Sequence, residues 1–151
     1  MEAKLRAYTF KVQLKGRSRI WRRIALRGDQ TLHDLHQAIF DAFDRFDEHL
    51  YAFYFPRSGS RGPLSLETAA EYLHPDGIRD PEDETLHNAM LARIDTLGLS
   101  RGQIFYYLFD FGDEWWHRLT VEQVEGEIDQ GPYPRLTDQR GASPPQYLVE
   151  G

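Results

Sequence analysis

Residues Ile104 to Glu122 read IFYYLFDFGDEWWHRLTVE, and the way this stretch folds decides the architecture. It holds two of the three tryptophans, three of the nine phenylalanines and two of the eight tyrosines, so a core has to form around it. Asp110, Asp113, Glu114 and His117 gather around Gly112 at its centre. The pattern predicts two strands folded back on each other at Gly112-Asp113-Glu114. In the second strand Trp116, Arg118, Thr120 and Glu122 form the wetter face, which turns Trp115, His117, Leu119 and Val121 inward. In the first, Phe105, Tyr107, Phe109 and Phe111 form the more uniform apolar set. Pairing these two faces needs an odd number of loop residues, which favours the three-residue loop. Gly-Asp as a two-residue type II′ turn is the alternative, and it moves the register by one.

Outward from the hairpin, the amino-terminal half supplies a frame. Ala7 to Leu14 alternates, with Tyr8, Phe10, Val12 and Leu14 on one face, as a half-buried strand does. Lys15-Gly16-Arg17-Ser18 is turn chemistry, and Ile20 to Leu26 resumes as a second strand with Ile20, Ile24 and Leu26 inward. That register puts Arg22 among aliphatics, where a guanidinium is costly unless paired. Either Arg22 snorkels to the sheet edge or follows a bulge, or Arg22 or Arg23 bonds a carboxylate such as Asp110. Thr31-Leu32-His33-Asp34 fits a capping box opening a helix whose buried stripe is Leu32, Leu35, Ile39, Ala42 and Phe43. Phe40 lies off that stripe, His36 lies on or beside it, and His33 lies towards the opposite side. His36 reads as a core-edge histidine with one hydrogen bond. Both histidines would ligate a metal only with their rings turned together.

Phe46-Asp47-Glu48-His49 ends the helical region, and Leu50 to Phe55 is an apolar run suited to a strand covered on both faces. Residues 57–84 break pattern and contribute to a span, Pro56 to Pro81, that holds four of the eight prolines. They read as an excursion with a short helix around Ser65 to Leu73 and a solvated acidic run at Asp80 to Glu84. Thr85 to Leu97 fits a helix through Leu86, Met90, Ile94 and Leu97, or an extended piece followed by a turn at Asp95-Thr96. Residues 123–151 read as a surface tail, with Tyr133 and Pro134 available to pin it. The fold class expected is therefore α+β. One domain over residues 1–151 has a mostly antiparallel sheet, one main helix packed on it, a ββαβ opening like that of β-grasp domains, and a carboxy-terminal aromatic hairpin.

The totals narrow the function classes. Eighteen Lys+Arg against 24 Asp+Glu give a net charge of -6, which works against a general nucleic-acid binder. A local patch of Arg17, Arg19, Arg22 and Arg23 keeps nucleic acid as a minor alternative. The absence of cysteine removes disulfides and thiolate metal sites. No apolar run approaches membrane-spanning length and the first residues lack a signal-peptide core, so a cytoplasmic protein is expected.

No phosphate loop, His-Glu-x-x-His or Gly-x-Ser-x-Gly occurs, and the serines sit in turn-like contexts. What remains is a constellation. Asp110, Asp113 and His117 are the candidates for acid/base chemistry, and with His49 they are the candidates for a divalent metal. The structural reading is as natural: Asp113 caps the turn, Asp110 neutralises a strand arginine and His117 satisfies a buried carbonyl.

Several elements together resemble one family. Ile20-Trp21-Arg22-Arg23-Ile24, Thr31 to His36 with Ala38-Ile39, Asp47-Glu48-His49-Leu50 with Phe53, and Phe109-Asp110-Phe111-Gly112-Asp113-Glu114-Trp115 with His117 are similar to the plasmid pRiA4b ORF-3-like family. That family is also met as insertion-element passenger TnpR proteins. The likeness runs from about Tyr8 to Pro145. It implies an α+β fold with an antiparallel sheet in bacterial or archaeal mobile-element settings, and no agreed activity. It marks Trp21, Arg22, Arg23, His36, Asp47 and Trp115 as structural or binding positions. The family's tail often carries cysteines around Gly-x-x-Ala-Cys-Pro-Pro, where this chain has Gly141-Ala142-Ser143-Pro144-Pro145. Nothing here resembles a serine recombinase's nucleophile with its arginine cluster. The expected function is a non-catalytic binding or interaction module for a protein or small molecule. A metal-dependent hydrolase at the Asp/His cluster is the alternative.

Overall fold

The computed structural model of the chain describes residues 5–56 and 69–147. Among them, eight strands form a single sheet in the order β5-β4-β3-β6-β7-β1-β2-β8. The strands are β1 (Ala7–Leu14), β2 (Arg17–Arg27), β3 (Tyr51–Phe55), β4 (Ala70–Leu73), β5 (Leu86–Asn88), β6 (Ile104–Phe109), β7 (Trp115–Glu125) and β8 (Arg135–Arg140). All neighbours pair antiparallel except β4 with β5. One α-helix among the described residues, α1 (Leu32–Ala42), packs on the inner face, so the fold is α+β as its patterning predicts. No described helix is long and apolar enough to cross a membrane.

The ββαβ opening forms as expected. Tyr8, Phe10, Val12 and Leu14 are all buried, and Gly16 turns the chain into β2 at φ +81°, a conformation that favours glycine. The capping box of α1 is complete. The Thr31 hydroxyl accepts from Asp34 N–H at 3.2 Å, and Thr31 N–H donates to the Asp34 carboxylate at 2.8 Å. Thr31→Ala should cost about 1 kcal/mol in a urea titration, the usual worth of a threonine cap; no measurable loss would mean that packing alone holds the first turn. Leu32, Leu35, Ile39 and Phe43 are buried as the stripe requires, and Phe40 is buried with them, its ring edge-on to Phe109 at 5.8 Å.

Neither alternative holds for Arg22, whereas Arg23 does bond carboxylates, Glu122 and Asp138 in place of Asp110. The strand of Arg22 pairs regularly with β1 from Trp21 to Arg27, so no bulge there turns it outward, and Arg22 stays inside at 2% exposure. Its partners are backbone carbonyls, not a carboxylate. Nε donates to Ala42 O at 2.8 Å, and Nη1 to Trp21 O at 2.9 Å and Arg140 O at 3.0 Å. Nη2 donates to Ser143 Oγ at 2.7 Å. Arg23, on the outer face, bonds Glu122 at 2.6 Å and Asp138 at 3.1 Å.

The hairpin keeps the expected parity with a longer loop. Phe109 faces Trp115, Tyr107 faces His117 and Phe105 faces Leu119, so the apolar faces meet and the two-residue turn is excluded. The loop has five residues, Asp110 to Glu114, in place of three. Phe111 consequently leaves the inward set and is 41% exposed.

Two other expectations are corrected and one open alternative is decided. Ala70–Leu73 is strand β4, not helix, while residues 65–68 of that expected helix lie outside the described residues. Within Thr85 to Leu97 the extended alternative holds, as β5 followed by a 3₁₀ turn at Ile94–Thr96. The supposed surface tail starts as the end of β7 and returns as β8, an edge strand on β2. Tyr133 does pin this segment, its carbonyl accepting from Gln30 Nε2 at 2.9 Å.

Candidate functional site

The polar candidates of the sequence separate into two places. Asp110 sits at the end of β6 with φ +64° and is 7% exposed. Its Oδ1 accepts from Gly112 N–H at 3.0 Å and Asp113 N–H at 3.3 Å, so it is Asp110 that caps the loop. Its Oδ2 lies 3.5 Å from His49 Nε2. Asp113 is exposed. His117 points the other way, into the core at 0% exposure. There Arg45 Nη2 donates to its Nε2 at 2.8 Å, and its Nδ1 donates to Tyr107 O at 3.3 Å. An arginine can only donate, so His117 is the neutral Nδ1–H tautomer with both nitrogens engaged. Burial, then the adjacent Arg45 charge, pushes its pKa well below the ordinary imidazole value.

His49 and Asp110 meet at the carboxy-terminal segment. The Tyr147 hydroxyl lies 2.6 Å from His49 Nε2 and 2.6 Å from Asp47 Oδ2, the hydrogen bond to Asp47 raising its pKa to about 12. Gln146, buried at 5% exposure, accepts from Phe46 and Asp47 N–H groups and donates to Asp47 O. Asp47 is thus part of the docking of this segment. Among the described residues no three His, Asp or Glu side chains are grouped to hold a metal ion.

A second constellation lies beside α1, and the sequence did not assemble it. His33, His36, Gln37, Glu48, His49, Tyr51, His74 and Asp76 line a cleft of about 600 Å³. His36 stacks on Tyr51 with centroids 3.8 Å apart, and His33 lies 5.5 Å from His36 and 6.0 Å from His74. His36 makes two hydrogen bonds, to Tyr107 Oη at 2.6 Å and to Glu48 at 3.2 Å, one more than the core-edge reading expected. A carboxylate only accepts, so His36 Nε2 carries the proton and Nδ1 accepts from Tyr107. Burial, with the neighbouring His33, His74 and Arg45 adding to it, lowers the His36 pKa to about 3.

The same reasoning sets His74. His74 Nδ1 accepts from Asp76 N–H at 3.0 Å, which leaves the proton on Nε2. His33 Nδ1 lies 2.7 Å from the Tyr51 hydroxyl, which burial holds protonated and which can either donate to that nitrogen or accept from it. The Nε2 edge of His74 is therefore a hydrogen-bond donor, not a lone pair turned to a metal.

His36 was visible in sequence as a helix position. Tyr51 and Tyr107 lie in apolar strand runs that suit a core or a pocket wall alike, and His74 reaches the cleft from the segment after β4, which no local periodicity reports. Of the structural or binding positions, Trp21 lies between Lys11, 5.0 Å from its ring centroid, and Arg23 at 4.9 Å. Trp115 packs against the core cluster.

The family model described as plasmid pRiA4b ORF-3-like protein matches residues 6–148. Among solved structures, the chain is similar to a protein of unknown function, MM3350, from Methanosarcina mazei Go1. The TM-score is 0.73 and the identity 25%, over 95% of this chain and 74% of that one. No curated protein matches.

Proposed function

The chain belongs to the plasmid pRiA4b ORF-3-like family, and from that premise we propose that it is a non-catalytic binding module taking a small, acceptor-bearing molecule into the histidine-lined cleft. One observation carries the reading: the imidazole groups divide into sealed and open ones. His117 and His36 have both ring nitrogens bonded inside the protein, and Asp110 caps its own loop. General acid/base work needs a group free to exchange a proton with substrate, and these are occupied. His33 and His74 line the open cleft together with the stacked His36–Tyr51 pair and Glu48, and His74 carries its proton on the nitrogen not bonded to Asp76. Aromatic walls with few directed polar groups are how small-molecule sites fix orientation.

Nucleic acid is a weaker partner for this surface. Of the four arginines that suggested it, Arg22 is buried and Arg23 is paired with Glu122 and Asp138. A cytoplasmic, mobile-element-associated setting belongs to the same proposal and draws on the family and on the cysteine-free sequence.

NMR titration with pools of nucleosides, amino acids and carboxylic acids should shift the His33 and His74 ring resonances. His33→Ala should weaken the responding ligand at least tenfold, about 1.4 kcal/mol. Turnover of phosphoesters or peptides with added Mn²⁺ or Zn²⁺, lost on His117→Ala, would replace this reading with the hydrolase.

A further inference from the structure

We propose that the sheet face opposite α1 carries a second site, which takes a nucleoside monophosphate. Strand register builds it. Gln13 pairs with Arg118, Arg118 with Tyr106 and Tyr106 with Tyr54, so one row crosses β1, β7, β6 and β3. Directly opposed residues share a face, and this row alternates with the inward Phe53, Tyr107 and His117. Trp116 stands on the same face as Arg118, with its ring 5.4 Å from that of Tyr54. Lys15 follows β1, and its N–H donates to Trp116 O at 2.9 Å, which sets its amine 5.7 Å from the Trp116 ring centroid.

Lys15 and Arg118 line a common cavity of about 280 Å³, together with Ser18 and Tyr106. Among the described residues no acidic side chain lines it, and neither cation belongs to an ion pair. Two carboxylates of this face are committed elsewhere, Glu71 to Arg79 at 2.9 Å and Glu122 to Arg23 at 2.6 Å. Among the described residues no ring lies over Arg118, and the one beside Lys15 leaves most of the ammonium's donors open.

Two like charges beside one small cavity repel until an anion joins them. A phosphate monoester brings a charge of about −1.5 to −2 at neutral pH and three acceptor oxygens, matching two cations and the Ser18 and Tyr106 hydroxyls. A carboxylate would balance one cation only. Tyr106, Tyr54 and Trp116 continue from the cavity as an aromatic shelf on which a flat base stacks. The cavity lies at the lower end of the roughly 300–1,000 Å³ range of small-molecule sites, so it suits one nucleotide and not a strand.

The test is NMR titration of the isotope-labelled full chain with AMP, GMP, CMP and UMP. At least one should shift the Lys15, Ser18, Tyr106 and Arg118 amides and the Trp116 indole. Its nucleoside and inorganic phosphate, each given alone, should bind at least about tenfold more weakly. Lys15→Gln and Arg118→Gln, both at exposed positions, should leave the fold standing and each weaken the nucleotide at least about tenfold. Arg101→Gln, at an exposed position outside the cavity, should change nothing. No shift at these residues with any of the four, or an affinity that both cavity variants keep, overturns the proposal. Shifts confined to the His33 and His74 rings overturn it by placing the nucleotide in the cleft. Phosphate binding as tightly as the nucleotide overturns it in favour of a plain anion site. An unphosphorylated oligonucleotide binding more tightly overturns it in favour of a strand.

Discussion

Arg22→Met is expected to lower the unfolding free energy by about 3–5 kcal/mol, the range for breaking a buried charged network by removing one partner. Methionine fills most of the stem volume, so what is lost is the hydrogen bonding of the guanidinium. That group joins four parts of the molecule. Ala42 O belongs to the last turn of α1, where carbonyls lack intrahelical donors and a cation complements the helix dipole. Trp21 O lies in its own strand and Arg140 O at the end of β8. Ser143 holds the segment that runs on to Gln146. Phe43 lies beneath it, 4.9 Å from the guanidinium carbon.

Removal therefore leaves carbonyls of three elements short of a donor at once, each costing about 1–3 kcal/mol if water cannot reach it. Arg22→Lys should recover little, because an ammonium on a flexible stem cannot reach diverging acceptors as the planar fork does. Hydrogen exchange gives the specific signature: amides of residues 135–143 should lose protection before those of β1 and β7. A loss below 1 kcal/mol, or loss of protection spread evenly over the sheet, would show that β8 and α1 are held without Arg22.

How much of this was legible follows from which interactions are local. The α1 cap, stripe and start were readable because Thr31, Asp34 and the apolar spacing lie within one helix. The parity of the aromatic hairpin was readable because side chains alternate with period two. Its five-residue loop was not, since it depends on Asp110 and Glu114 both taking positive φ, which the Asp110 cap and the Glu114 N–H bond to Asp110 O at 2.7 Å stabilise. β8 escaped because RLTDQR, exposed along an edge, carries no alternation to detect. The cleft escaped for a different reason. Its histidines come from α1, the segment before β3 and the segment after β4, and only the sheet order brings them together.

The second large effect is acid sensitivity. His36 and His117 are both buried and held neutral, with folded pKa values depressed below the ordinary 6.5. In the unfolded chain each takes a proton near pH 6.5, whereas the folded protein refuses it, so their contribution is complete above that pH and declines as pH falls below it. A ring that stays neutral in the folded state contributes a slope of about 1.4 kcal/mol per pH unit. For His36 the window closes only near its folded pKa of about 3. The groups facing the rings reinforce the direction. His33, His74 and Arg45 bear on His36, where only Glu48 opposes, and Arg45 bears on His117. Two pH units below 6.5, His36 alone would remove about 2.7 kcal/mol, a large share of a typical domain's stability, and His117 acts in the same direction. Urea titrations from pH 7 to pH 4.5 should therefore show this loss, and His36→Gln should make its slope shallower. Imidazole resonances of His36 and His117 that titrate near pH 6.5 in the folded protein would contradict the sealed, neutral rings on which the acid sensitivity rests.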